Sequence, residues 1–170
     1  VRLPAGLIAS LAGAGDGSVT ITIAQNNDNA SGNGLVSSGA FDFSITAGGK
    51  PVTEFGQEVT VTISLDMSKV GNAKRVIVCV YDEASGTWQP VGGVTDLANG
   101  SISFNTGHFS TYAAFETVKH FDDITSSWAK EKVEILASRR LINGRSDKTY
   151  DPEGTVSRAE FAAMIAPSPI

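Results

Sequence analysis

The sequence predicts a mainly β chain with a small α appendage: an antiparallel β sandwich over 1–116, then a helix–loop–helix unit over 120–165. Three observations carry this. Gly, Thr, Ser and Val dominate the first part, which holds 16 of the 18 glycines among short alternating apolar runs, the pattern of strands joined by tight turns. The charge changes character near residue 117. Residues 1–116 contain five basic and ten acidic residues, a net −5, whereas 117–170 contain eight of each, a net of zero. The second part is also rich in Leu, Ala, Glu and Lys, as surface helices are.

Each element has its own local reason. Pro4 stands where a helix can start, and the following AGLIASLAGAG gives about two turns before its glycines stop them. In 18–24, Val19, Ile21 and Ile23 alternate with Ser18, Thr20 and Thr22, so a half-buried strand is expected, followed by an Asn- and Gly-rich loop over 26–34. Phe41, Phe43 and Ile45 mark a second strand that turns at Gly48 and Gly49, and Val59, Val61, Ile63 and Leu65 mark a third. The run RVIVCVY over 75–81 is apolar on nearly both faces, which fits a central strand. A turn at 83–86 leads to Trp88, and Asn99 with Gly100 signals a hairpin before Ile102 and Phe104.

In the second part, Ser126 or Ser127 is expected to cap a helix whose apolar stripe is Ala129, Val133, Leu136 and Ala137, with Asn143 and Gly144 as its stop. Ser157 and Glu160 have the spacing of a capping box for a second helix containing Phe161, Ala162 and Ile165. Asp151 precedes Pro152 and is therefore disfavoured as helix. Val133, Leu136, Phe161 and Ile165 together exceed what a helix pair of this size buries. That face is expected to pack on the sandwich or on another copy of the chain, directly or by segment exchange.

Composition excludes several function classes. At 170 residues, 41% hydrophobic and 18% charged, the chain can bury a core and is not wholly disordered. A net charge of −5 argues against a nucleic-acid partner, which needs a basic footprint. One Cys and two His supply neither a disulfide framework nor a Cys-rich zinc site. Apolar runs fall far short of the ~20 residues that span a bilayer, so no membrane insertion is expected. There is no basic start followed by an apolar run, and the chain begins with Val; it is expected to be a piece already cut from a longer protein.

The stretch from His120 to Ile165 resembles an S-layer homology (SLH) module. The resemblance rests on Phe121-Asp122-Asp123-Ile124, Trp128-Ala129, Leu136, Gly144 with Asp147 three residues on, and Tyr150-Asp151-Pro152. It also rests on Val156-Ser157-Arg158-Ala159-Glu160-Phe161, the family's TRAE region with Ser for Thr. Lys148 replaces a common Gly, and Ala166-Pro167-Ser168-Pro169 stops the last helix early. The resemblance implies an extracellular protein of the bacterial cell wall or S-layer, held non-covalently to secondary cell-wall polysaccharide, often a pyruvylated one. It also implies that such modules occur as three repeats with ligand grooves between neighbours. Only one copy of the Trp128 and Val156–Phe161 motifs is present, so its groove is expected to be incomplete, and a second copy of the chain is a further candidate partner. The first part resembles a β-rich domain of Gram-positive surface proteins through its VRLP-plus-helix opening, TWQPVGG (87–93) and GHFSTYAAF (107–115), which implies an architectural role.

Four residues are candidates for polysaccharide binding: Trp128, Gly144, Asp147 and Arg158. A guanidinium meets a sugar carboxylate in a fork of two parallel bonds, an aromatic face suits the apolar C–H face of a sugar, and Gly admits close approach of backbone amides. The plainer reading of Trp128 is a core residue at the helix start, and that of Arg158 a pair with a neighbouring carboxylate. Arg139, Arg140, Arg145 and Lys148 form a local basic patch that either assists an anionic polymer or is a solvated helix end.

A different chemistry is open at His108, Phe109 and Ser110, which resemble the cleavage tripeptide of self-cleaving β domains. There a His deprotonates the Ser hydroxyl, which attacks the carbonyl of the preceding residue and leaves an ester open to water. The plain alternative is a strand end around a buried Phe109. Cys79 sits between two valines and reads as a small buried hydrophobe rather than a nucleophile. The loop over 26–34 has calcium-like oxygen ligands but lacks EF-hand spacing, so turn chemistry explains it better. With no GxGxxG, P-loop, HExxH or GxSxG pattern, the chain is expected to be non-enzymatic and to need no cofactor or metal.

Overall fold

The computed structural model describes residues 1–13, 16–26 and 34–165, without the side chains of Ala163 and Met164. The oxygen-rich loop expected over 26–34 and the early helix stop at 166–169 therefore lie largely outside the described residues. The chain opens with helix α1 (Ala5–Ala12), whose first N–H groups at Leu7 and Ile8 donate to the Pro4 carbonyl. It buries Leu7 and Leu11.

The strands that follow are β1 (Val19–Asn26), β2 (Ala40–Ala47), β3 (Lys50–Pro51), β4 (Val59–Ser64), β5 (Val76–Asp82), β6 (Thr87–Gly92), β7 (Val94–Asp96), β8 (Ser101–Thr106) and β9 (Thr111–Glu116). They make two sheets: one ordered β1-β2-β9-β5-β6 with β3 beside β2, the other ordered β4-β8-β7. All the described pairs are antiparallel. Gly48 and Gly49, at φ 55° and 74°, link β2 to β3 with the left-handed pair that a two-residue hairpin turn demands.

The core lies between the sheets. Phe43, Val61, Val78, Ile102, Phe104 and Tyr112 belong to it. Strand β5 lies between β9 and β6 and is covered on both faces: Val76 and Val78 join the main core, while Ile77 and Cys79 join a smaller cluster with Phe115 on the opposite face. This is the central strand expected from its apolar run.

Strand β1 departs from expectation. Val19 packs against the core, but Ile21 is exposed and Ile23 is 53% exposed. Both stand opposite buried residues of β2, Ile45 and Phe43, so they point to the correct side of the sheet. The facing sheet has three strands and does not reach across to the outermost strand of a six-stranded one.

The C-terminal part contains α2 (Lys130–Ser138) and α3 (Arg158–Ile165) around a small core of Phe121, Ile124, Val133 and Ala137, with Ala129, Ile142 and Tyr150 against it. Three local expectations are corrected. The N-cap of α2 is Ala129 with no side-chain bond; the Ser127 hydroxyl instead accepts the Ala129 N–H and closes the preceding turn. Leu136 is 39% exposed and absent from the core, because the flank of α2 that faces the sandwich carries Glu134 and Ser138 instead. The helix also ends before Asn143 and Gly144. Arg140 takes a left-handed conformation at φ 57°, its N–H reaching Ala137 O and that of Leu141 reaching Leu136 O, the paired bonds of a Schellman stop.

The capping box of α3 forms as expected: Ser157 N–H donates to Glu160 Oε2 at 2.8 Å and Glu160 N–H to Ser157 Oγ at 3.2 Å. Among the described residues, its Phe161 and Ile165 do not pack on the sandwich. Phe161 is 59% and Ile165 68% exposed, and neither joins a core cluster.

What does meet the sandwich is the polar flank and C-terminus of α2. Arg139 donates to Gly93 O at 2.7 Å and Arg140 to Trp88 O at 2.8 Å. Glu134 and Glu131 pair with Arg75 and Lys74, and Ser138 bonds the connecting segment at Thr117 and Lys119.

Candidate functional site

Trp128 lies just before α2 and is 87% exposed, with the Lys132 ammonium over its ring, 5.7 Å from the centroid. The alternative that it is a core residue is overturned: Phe121 and Ile124 occupy the space under the helix start. Arg158 opens α3, is exposed, and has no ion pair or side-chain hydrogen bond among the described residues. Its neighbour Glu160 is already engaged by Ser157 and Arg145. Asp147 is 98% exposed and held by Lys119 Nζ at 2.9 Å; that bond and the lysine's charge lower its carboxyl pKa.

Gly144 behaves differently from the other three. A Cβ there would lie 2.4 Å from Phe121 Cε1 and 2.5 Å from Thr149 O, so the close approach it permits is to the module's own core. No hydrogen bond, ion pair or ring contact joins the four candidates to one another among the described residues.

The basic patch does not exist as a patch. Arg139 and Arg140 are spent on sandwich carbonyls, and Arg145 is bonded to Glu160 and Thr155 O and lies 3.8 Å from Asp151. Of the four, Lys148 alone has no side-chain partner among the described residues.

Two residues inside the motif have functions that the motif does not state. Asp123 accepts the N–H groups of Tyr150 at 2.9 Å and Asp151 at 2.7 Å, and these bonds hold its carboxyl below the usual range. They pin Asp151 in its left-handed conformation at φ 64°. Glu134, almost fully buried, takes His120 Nδ1 at 2.5 Å on one oxygen and faces Arg75 at 3.9 Å on the other. Apolar periodicity gives no sign of this; the only hint is that Glu134 and Ser138 stand four apart on one flank.

At the tripeptide, Phe109 packs between Phe43 and Phe55, and the His108 carbonyl accepts from Thr106 Oγ1 and Tyr112 Oη. The His108 ring makes no hydrogen bond to Ser110, and no residue of the tripeptide has positive φ. Burial pushes the Cys79 thiol up to about 11, which opposes a nucleophilic thiolate. A shallow groove of about 460 Å³ beside Lys69, Gly71, Glu116 and Val118 lies away from the four candidates; its carboxylate, Glu116, is taken up by the N–H groups of Gly71 and Asn72. Among the described residues no group of His, Cys, Asp and Glu could hold a metal ion, and no helix is long and apolar enough to cross a membrane.

With Phe121 at the core, Asp123 clasping the Tyr150 turn and the Ser157–Glu160 box opening α3, the motif residues build one unit. Residues 120–162 match the S-layer homology domain family. They are an SLH domain. It is an anchoring module, and it makes the protein extracellular and cell-wall-associated.

The chain is 47% identical over 105 residues to an amylopullulanase of Thermoanaerobacterium thermosulfurigenes, a match covering 62% of this chain and 6% of that protein. It is 41% identical over 95 residues to endo-1,4-beta-xylanase A of Thermoanaerobacterium saccharolyticum, covering 55% and 8%. It is also 40% identical over 45 residues to cell surface glycoprotein 1 of Acetivibrio thermocellus, covering 26% and 2%. The chain thus spans less than a tenth of the length of these relatives. No solved structure matches it.

Proposed function

We propose that this chain is a non-catalytic wall anchor in two parts: a β sandwich over 1–116 that acts as a spacer or display module, and an SLH repeat over 120–165 that holds secondary cell-wall polysaccharide. The observation that carries the reading is the pairing of an SLH domain with two of its motif side chains, Trp128 and Arg158, standing in solvent without an acidic partner among the described residues. An exposed indole offers a stacking face to a sugar ring. An unpaired guanidinium offers two parallel bonds to a sugar carboxylate such as a pyruvyl group. Asp147, at the tip of the loop, supplies an acceptor for sugar hydroxyls, and Gly144 keeps that loop folded onto Phe121. The exposed apolar face of α3, with Phe161 and Ile165, is where a further repeat or a second copy of the chain would complete the groove. Within a longer surface protein the chain serves as an anchoring segment beside other modules.

Arg158→Ala, made with this repeat set in a three-repeat array, tests the assignment. Losing a charge-assisted bond to a carboxylate costs about 1.5–3 kcal/mol, roughly ten- to a hundredfold in affinity. Co-sedimentation with native sacculi should fall by that factor, and Lys148→Ala, at a loop cation outside the motif, should bind as the parent does. An Arg158→Ala array that binds undiminished would show that another residue reads the polymer.

A further inference from the structure

In α2, directly after Trp128 and Ala129, the charges alternate over Lys130, Glu131 and Lys132, and Glu134 follows Val133. As an isolated helix this would be a neutral, mixed surface. In the folded chain the two carboxylates are drawn to one flank. Glu131 pairs with Lys74 at 3.3 Å, and Glu134 is buried against His120 and Arg75. Lys74 and Arg75 both belong to the sandwich. Lys130 and Lys132 have no carboxylate partner among the described residues. The ammonium of Lys132 rests over the Trp128 ring, and since that indole is 87% exposed its other face is open to solvent. Docking on the sandwich therefore pairs both acids of this run and leaves Lys130 and Lys132 as its charges without a carboxylate partner among the described residues.

We propose that Trp128 and Lys132 act as one element that selects acidic over neutral glycans, with the sandwich supplying the selectivity by neutralising Glu131 and Glu134. This rests on the wall-polysaccharide reading and adds to it a specificity-determining lysine and its physical cause. A sugar stacks on the open face of the indole. Lys132, held on the ring by an exposed cation–π contact that is weak, swings from it to meet a ring carboxylate or pyruvyl carboxylate, which an ammonium binds more strongly than an aromatic face. A neutral sugar gains the stacking and nothing from the lysine.

The test titrates the chain, Lys132→Gln, Lys132→Arg and Trp128→Ala with two probes, following backbone amide shifts by NMR. One probe is polysaccharide released from Gram-positive sacculi; the other is the same material after its carboxyl groups are reduced to alcohols. Lys132→Gln should lose affinity for the carboxylated polymer by about three- to fivefold, the size of a solvent-exposed charge interaction, and bind the reduced polymer as the parent does. Lys132→Arg should restore the difference, and Trp128→Ala should weaken binding to both. Equal binding of the carboxylated polymer by Lys132→Gln and the parent, or an equal loss on both polymers, overturns the inference while parent binding keeps the anchoring reading. A parent chain that binds neither polymer overturns both.

Discussion

Gly144 and Trp128 belong to the same motif and do opposite things. The glycine faces inward, and the loop carbonyl of Thr149 that a Cβ would meet at 2.5 Å is backbone and cannot swing away as a side chain would. Gly144→Ala should therefore destabilise the SLH domain by about 1–3 kcal/mol, as overpacking does, with faster hydrogen exchange at Tyr150 and Asp151 while β4 and β8 stay protected. Unchanged exchange in that loop would mean that the loop yields freely. The tryptophan faces water. Both were visible in the sequence as motif positions, but residue type does not distinguish a Gly that admits a ligand from a Gly that admits a phenyl ring. Nor does it reveal which aromatic at a helix start fills the core: Phe121 does, and Trp128 is left outside.

At the scale of elements, the most legible features were the most local. The capping box of α3 needs only Ser157 and Glu160 three residues apart, and the turn at Gly48 and Gly49 needs only two left-handed residues; both formed as read. The exposure of Ile23 was not legible, because it depends on the width of a sheet to which β1 does not belong. The end of α2 was misplaced for another reason: Arg140 adopts the left-handed conformation usually left to Gly, held there by its bond to Trp88 O.

Acid should loosen the C-terminal loop and α3 first. Asp123 is held below the usual carboxylate range by the N–H groups of Tyr150 and Asp151, and Glu160 by the Ser157 bonds and Arg145. Each binds its proton more readily when unfolded, so each contributes stability above the unfolded value, near pH 4, and loses it as pH falls through the lower folded value. NMR peaks of 145–165 should broaden or shift below about pH 4, before those of the sandwich, whose lowered carboxyls Asp16, Asp66, Asp82 and Asp96 only brace local turns and whose core is larger. Simultaneous loss of both would contradict this ordering.

The whole molecule is joined by polar groups directed at backbone. Arg139 and Arg140, which composition presents as surface cations at a helix end, instead fasten α2 to Gly93 O and Trp88 O. No hydropathy pattern encodes such a contact, since its acceptors are main-chain carbonyls some 50 residues away. Replacing both with Ala removes two charge-assisted bonds, about 1.5–3 kcal/mol each at most and less at the exposed Arg140. Small-angle scattering should then show a larger radius of gyration and proteolysis should cut at 117–120, with each part still folded. An unchanged radius would mean that the Ser138 and Glu134 contacts hold the two parts together unaided.

Anchoring is the central claim, and co-sedimentation of the intact chain with purified sacculi, before and after extraction of the wall polysaccharide, tests it most directly. The account predicts that the chain pellets with native sacculi and stays in solution with extracted ones. Equal pelleting with both, or with neither, would contradict it.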